Sequence, residues 1–475
     1  MNAKTTSEGE SFSGSPLPEL LPDLQKMAAW YLAQESAMPD PVFRTPDAMK
    51  QKLQAGLGES GHSSTEVLAG IRRALELTPS SSSWRFLNQL FGGRIGVATV
   101  AEMLATLPNS SMYTLKAAGA QVLVENEVLQ RMCRMAGFQE GEGCFVPGGS
   151  SANLLALLLA RDRIAPTIRD HGWQGQQLIA YTSAEAHYSI PKNAGILGLG
   201  RSNVRLVPVD PSGAMNAKAL ASMIETDTAA GLTPFFVNAT AGTTVRGAFD
   251  PIMAISEVTK KYGVWLHVDG ALGGSLILSR THRSKLQELE QADSFAWNPH
   301  KMMGVPLQTS VLLTPKRGTL AASLDETADY LFQADVEEYN PGHRSLQCGR
   351  RNDALKLWAA WYHLGDSGWE KRIDRQLQLA QNAAALIDES PELCLVEKPV
   401  SINVCFYHPQ ISSEELCDYL DRKGIMKIGH GQAGSHRAIR LVCVNPDIDE
   451  SVLKTILETI VKAAKAMLAE GKNHE

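Results

Sequence analysis

From about residue 115 to 315 the chain alternates between two hydrophobic rhythms. Short β-branched or aromatic runs (QLIAYTS, NVRLVPV, TPFFVNAT, GVWLHVD, SFAWN and TSVLLT) are separated by stretches of helical spacing such as MIETDTAAG and MAISEVTKKYG. That alternation predicts an α/β fold, a mostly parallel sheet covered by helices. Ligands of such sheets sit beyond the C-terminal ends of the strands. Before it, LPELLPDLQKMAAWYLAQ places Leu20, Leu21, Leu24, Met27, Ala28 and Tyr31 near helical spacing. STEVLAGIRRALEL predicts a second helix, with Ser64 or Thr65 as its cap. Two helices are too few for a core of their own and predict an arm that packs elsewhere, a partner subunit being one candidate surface. After residue 353 come long helical stretches (DALKLWAAWYHLG, RIDRQLQLAQNAAALID), the runs LCLVEK, INVCFYHP and AIRLVCVNP, and the helices SSEELCDYLDRKG and DESVLKTILETIVKAAKAMLAEG. This reads as a smaller α+β domain. The expected division is a helical arm over 1–95, a large domain over 96–355 and a small domain over 356–475.

Composition narrows the class of protein. The 475 residues are 44% hydrophobic and 20% charged, with a net charge of −6. Such a chain buries a large core, and it carries no basic field for nucleic acid or an anionic membrane. No apolar run approaches the roughly 18 residues of a spanning helix. The first residues, MNAKTTSEGESFSGSP, lack the layout of a signal peptide. The seven cysteines are scattered and form no CxxC pair, so they are expected as reduced thiols in a cytoplasmic protein.

Two strand ends carry candidate chemistry. GVWLHVDGALGG delivers Asp269 followed by small residues, and SFAWNPHK delivers His300 and Lys301 after Pro299. Taken singly, a strand-end acid caps a helix and a lysine is a solvated charge. Together at neighbouring strand ends they suit a cofactor that condenses with an amine and needs a counter-charge at its far end, as pyridoxal 5'-phosphate (PLP) does. CFVPGGSSANLLALLLAR places Gly148, Gly149, Ser150 and Ser151 before an almost wholly apolar helix. This is either an anion cradle or an ordinary serine cap. GILGLG at 195–200 mimics a dinucleotide fingerprint but lacks the acidic residue expected about 20 positions later. His187 in SAEAHYSIPKNAG lies just past a strand.

With Asn298-Pro-His-Lys301 some thirty residues after HVDGA, the chain resembles the group II PLP-dependent amino-acid decarboxylases, from about Arg85 to the C-terminal domain. The resemblance implies the fold of that family (fold type I, aspartate aminotransferase-like, with a mostly parallel seven-stranded sheet) and a homodimer with shared active sites. It implies Lys301 as the residue that holds PLP as a Schiff base, Asp269 paired with the ring nitrogen, and Ala271 and His187 on the two ring faces. Gly149, Ser150 and His300 would hold the phosphate, Asn298 belongs to the cofactor motif, and Thr243 would lie near the ring's phenolic oxygen. Tyr330 in DYLFQAD matches the loop tyrosine that returns a proton to the substrate, and Arg440 in AIRLVCVNP matches the clamp on its α-carboxylate.

WRFLNQLFGG resembles the glutamate and cysteine sulfinate branch, with Asn88 and Gln89 lining the substrate pocket. Within it, Phe91 and Ser111 match the cysteine sulfinate and aspartate enzymes, and Phe91 is expected to shorten the pocket by about a methylene. The expected reaction is PLP-dependent α-decarboxylation of cysteine sulfinate or aspartate, to hypotaurine or β-alanine. Glutamate or 2,4-diaminobutyrate decarboxylation, PLP transamination and a non-catalytic relative are the alternatives. Thr114-Leu-Lys-Ala-Ala-Gly119 departs from the family's pattern and introduces Lys116, either a cation for an acidic substrate or a solvated helix lysine. No metal is expected.

Overall fold

All six expected runs lie in one sheet, joined by a strand that the pattern did not announce. The computed structural model describes residues 17–37, 44–173, 175, 177–326 and 336–472. Its strands are β1 (Glu142–Phe145), β2 (Leu178–Ser183), β3 (Val204–Val207), β4 (Thr233–Thr240), β5 (Trp265–Gly270), β6 (Ser294–Trp297) and β7 (Val311–Thr314), in the spatial order β1-β7-β6-β5-β4-β2-β3. Four pairings are parallel, and the two made by β7 are antiparallel. β1 escaped notice because Glu-Gly-Cys-Phe has no β-branched residue; Gly143 is tolerated there because a Cβ would run into Leu313 of β7 at 2.5 Å.

Alternate residues of these strands serve opposite faces. Ile179, Tyr181, Val237, Val268 and Trp297 belong to one buried cluster. Their neighbours Leu178, Ala180, Phe236 and Ala296 belong to another, packed against the helix Gly149–Ile164 through Leu155, Leu157 and Leu159. Both faces are therefore covered through the centre of the sheet, while edge strand β3 stays partly exposed, with Leu206 at the surface.

A second sheet is antiparallel, in the order β10-β11-β9-β8, formed by β8 (Cys394–Leu395), β9 (Asn403–Tyr407), β10 (Gly429–Ala433) and β11 (His436–Val442). The helices Ser413–Arg422 and Glu450–Lys472 accompany it. The long helical stretches after residue 353 merge into Ala354–Asp388, broken at Gly365, whose φ of 60° and ψ of −179° interrupt the helical path. In the N-terminal region the helices are Leu17–Ala37, Pro46–Leu53 and Ser64–Glu76. The cap of the last is Ser63, one residue ahead of expectation, because Glu66 closes a reciprocal capping box with it. The first helix is tied to its own chain through Glu35, which pairs with Arg94, and through Trp30, whose ring Arg72 covers at 4.4 Å. Tyr330 lies outside the described residues.

Candidate active site

A cavity of about 210 Å³ opens at the C-terminal ends of β4, β5 and β6. Eight residues singled out in the sequence line it: Gly149, Ser150, His187, Asp269, Ala271, Asn298, His300 and Lys301. Parallel β5 and β6 end side by side, with Asp269 opposite Ala296 and Gly270 opposite Trp297. The turn after each strand therefore delivers its polar residue to the same crevice.

Asp269 is 4% exposed and well supplied with donors. The Ala271 N–H donates to its Oδ1 at 3.0 Å, and Asn153 Nδ2 donates to its Oδ2 at 2.8 Å. Asn153 Oδ1 accepts from His267 Nε2 at 2.9 Å, while His267 Nδ1 lies 2.9 Å from Ser294 Oγ. Trp265 Nε1 donates to the same Ser294 oxygen at 2.8 Å. An amide oxygen only accepts and an indole N–H only donates, so His267 Nε2 carries a proton toward Asn153 and Trp265 donates to Ser294. Burial pushes the His267 pKa down to about 4, which leaves the ring neutral, with Nδ1 free to accept from Ser294.

Burial also lowers the pKa of the Lys301 ammonium, with Arg440 adding to the effect and Asp269 opposing it. A lysine so shifted releases its proton more readily and is a better amine nucleophile. His300 is buried and pushed down to about 4, chiefly by desolvation, with Lys301 contributing. Its Nδ1 lies 2.7 Å from the carbonyl oxygen of Thr309. His187 is also lowered by burial, and the Ser189 N–H donates to its Nδ1 at 3.2 Å. Both rings are thus held neutral.

The helix Gly149–Ile164 begins at this cavity with no side-chain cap hydrogen bond, after Gly148 at φ 95°. The serine-cap alternative is thereby set aside: Ser151 Oγ donates to Pro147 O, and the first N–H groups of the helix meet no capping side chain. A Cβ on Gly149 would meet Asn298 Nδ2 at 2.8 Å and Ala271 Cβ at 3.3 Å, so glycine keeps this corner open. Asn298 Oδ1 is buried with no hydrogen-bond partner among the described residues.

Other expected residues stand further out. Thr243 lies beneath the wall, 1% exposed, its hydroxyl accepting from the Ala248 N–H at 3.0 Å; the neighbouring threonines Thr240 and Thr244 line the cavity instead. Arg440 donates through Nη1 to Thr244 O at 2.8 Å and through Nη2 to Asn88 O, leaving Nε buried and unpartnered among the described residues. Gln89 is exposed, and it is Leu90 that lines the cavity. Phe91 does not narrow this cavity from within its own chain: its ring packs 6.0 Å from Phe86 and lines a second cavity of about 270 Å³, which shares His300 with the first. Ser111 lies apart, donating to Cys348 O at 3.3 Å. Sequence reasoning missed Asn153 and His267. His267 stood inside the motif used for Asp269, two residues before it, on the same side of the strand. Asn153 was the one polar side chain inside ANLLALLL, a run otherwise read as apolar.

Comparison with known proteins agrees with this geometry. Residues 46–408 match the family described as "Pyridoxal-dependent decarboxylase conserved domain". The rat cysteine sulfinic acid decarboxylase is 38% identical over 439 residues, 87% of this chain and 89% of that protein. The bovine acidic amino acid decarboxylase GADL1 is 35% identical over 448 residues, 90% of this chain and 86% of that protein. The crystal structure of mouse CSAD in apo form superposes with a TM-score of 0.90 at 34% identity, covering 94% of this chain and 98% of that one.

Proposed function

The chain belongs to the pyridoxal-dependent decarboxylase family, and we propose that it removes the α-carboxylate of a small acidic L-amino acid, cysteine sulfinate or aspartate, yielding hypotaurine or β-alanine. One observation carries the reading: Lys301, Asp269 and an uncapped helix start line one cavity, in a chain whose relatives are named for cysteine sulfinic acid and for acidic amino acids.

The residues fit PLP. Lys301 offers an amine to an aldehyde, Asp269 an anion to a ring nitrogen, and the Gly149–Ser150 N–H groups a seat for phosphate. The orphaned Asn298 oxygen and the space kept by Gly149 suit a group filling that corner. Bound there, PLP supplies a sink for the electron pair released when the Cα–carboxylate bond breaks. The chain's own residues do the rest. Asp269, given donors on both oxygens, keeps a proton on the atom it faces. Neutral His187 and Ala271 offer flat, uncharged walls. The resemblance assigns the α-carboxylate to the Arg440 guanidinium, and its Nε, without a partner among the described residues, supports that role. The resemblance assigns proton return at Cα to Tyr330.

The working unit is proposed to be a cytoplasmic homodimer. Leu17, Leu21, Leu24 and Leu32 form an exposed stripe on the first helix. Val97, Val100, Leu104 and Leu107 are exposed close to the segment that carries Ser111. Apolar faces of this kind mark protein–protein contact. Release of CO2 from aspartate, cysteine sulfinate, glutamate and 2,4-diaminobutyrate by the PLP-loaded enzyme tests the substrate. Turnover confined to the two shorter acids is expected; a clear preference for glutamate or diaminobutyrate overturns the reading.

A further inference from the structure

Arg246 has no part in the chemistry above, yet it is one of the most enclosed cations in the molecule, with its side chain 4% exposed. It stands on the loop between β4 and the helix Ile252–Tyr262. Its Nε donates to Glu397 Oε1 at 2.6 Å while Nη2 donates to Glu397 Oε2, a two-pronged bond. Nη1 donates to Glu185 Oε1 at 3.1 Å, and Nη2 also reaches Pro211 O at 2.6 Å. The slot is tight: a Cβ on Gly213 would meet Arg246 Nη1 and Glu185 Oε2, each at 2.8 Å.

Each of the three charged residues stands a short step from a working part of the site. Glu185 is two residues before His187. Arg246 is two residues after Thr244, which lines the cavity and whose carbonyl accepts from Arg440 Nη1 at 2.8 Å. Glu397 follows Val396, whose N–H donates to Cys405 O at 2.9 Å, and Cys405 is the register partner of Arg440 across β9 and β11. The same loop grips β9 through Asn403 Nδ2, which donates to Thr244 O and Val245 O at 3.0 Å each. Arg246 therefore closes a triangle whose corners lead to the ring-facing histidine, the cavity threonine and β9, the strand paired with that of Arg440.

We propose that Arg246 is a positioning residue of the decarboxylase: its ion pairs with Glu185 and Glu397 lock the four-stranded sheet against the cavity and so set where Arg440 meets the substrate's α-carboxylate. This deepens the proposed function and rests on it. Arg246 touches no reacting atom. Its effect falls on ligands that carry the carboxylate and spares those that do not.

The test uses the PLP-loaded enzyme and two ligands differing only in that group, aspartate and its decarboxylated product β-alanine, with cysteine sulfinate and hypotaurine as a second pair. Binding is read before turnover by stopped-flow change in the cofactor's visible absorbance. In Arg246→Met, and in the milder Glu397→Gln, affinity for the acid is expected to fall about tenfold, within the hundredfold that an ångström of misplacement costs. Affinity for the amine, and the dissociation constant of PLP itself, should move less than about twofold on the same argument. Arg246→Lys should restore part of the loss, and the double variant carrying both Arg246→Met and Glu397→Gln should be no worse than Arg246→Met alone. Equal weakening of acid and amine, a parallel loss of PLP affinity, or no change in either variant overturns the proposal. If the unmodified enzyme releases no CO2 from any acid, the decarboxylase reading falls, while the acid-to-amine binding ratio still reports separately on the lock.

Discussion

Asp269 is held by donors on both oxygens, and its own charge is expected to carry most of its effect. An opposite unit charge at about 4 Å in partly buried surroundings is worth about 4 kcal/mol. On that scale Asp269→Asn should lower kcat roughly a thousandfold with PLP in excess. Asn153→Ala removes one donor, which water replaces in part, and should cost about tenfold; equal effects of the two changes would show that the donor chain, and not the charge, carries the function. His267 and His300 yield a pH prediction. Both have folded pKa values near 4 against an ordinary 6.5. Between those limits the unfolded chain binds protons that the folded chain does not, so stability is fully present above about 6.5 and is lost as pH falls toward 4. Buried Asp250, raised to about 7 by desolvation, works in the opposite sense over the whole of that window. The informative quantity is therefore the difference between the unmodified protein and His300→Gln. Unfolding free energies from urea titrations between pH 7 and 4.5 should fall less steeply in the variant, by up to about 3 kcal/mol over the window.

At the scale of elements, the decisive piece is the start of the helix Gly149–Ile164. A buried helix beginning without a side-chain cap leaves N–H groups free for an anion. Gly149→Ala places a methyl 2.8 Å from Asn298 Nδ2 and narrows this corner. PLP affinity, measured by equilibrium dialysis, should fall at least about tenfold, while the protein stays folded because the helix's apolar contacts are untouched; unchanged affinity would mean that phosphate sits elsewhere. The motif GGSS and the apolar run after it were legible as a cradle before a buried helix. That the serines would leave its first N–H groups uncapped was not, because a cap depends on backbone angles as well as residue type. The strands divide similarly. β2 to β7 announced themselves by β-branched and aromatic runs, while β1 and β10, rich in glycine, became strands only through partners already in place.

For the whole molecule, the prediction concerns assembly. Val100→Asp with Leu104→Asp puts two charges on an exposed apolar face. Sedimentation should show the unmodified protein at twice its 51.5 kDa chain mass and the variant shifted toward the monomer, with activity lost in parallel. A variant that remains dimeric and active places the interface on another surface. Ser111 and Lys116 bear on this scale: among the described residues neither lines the Lys301 cavity, so a role for them in substrate choice belongs with the proposed dimer.

What the sequence determined by itself was the chemistry and its neighbourhood: a parallel α/β sheet, an acid and a lysine on adjacent strand ends, a glycine–serine cradle, and through them the family. These are local patterns, written in periodicity and short motifs, and local interactions suffice to express them. Only the tertiary structure decided which residues meet. It replaced Phe91 with Leu90 on the cavity wall, turned Thr243 inward, linked Trp265 to Asp269 through three intervening side chains, and joined Glu185, Arg246 and Glu397 from segments far apart in the chain. Such contacts depend on packing and on pairing of buried polar groups across distant segments, and no window of sequence contains both partners.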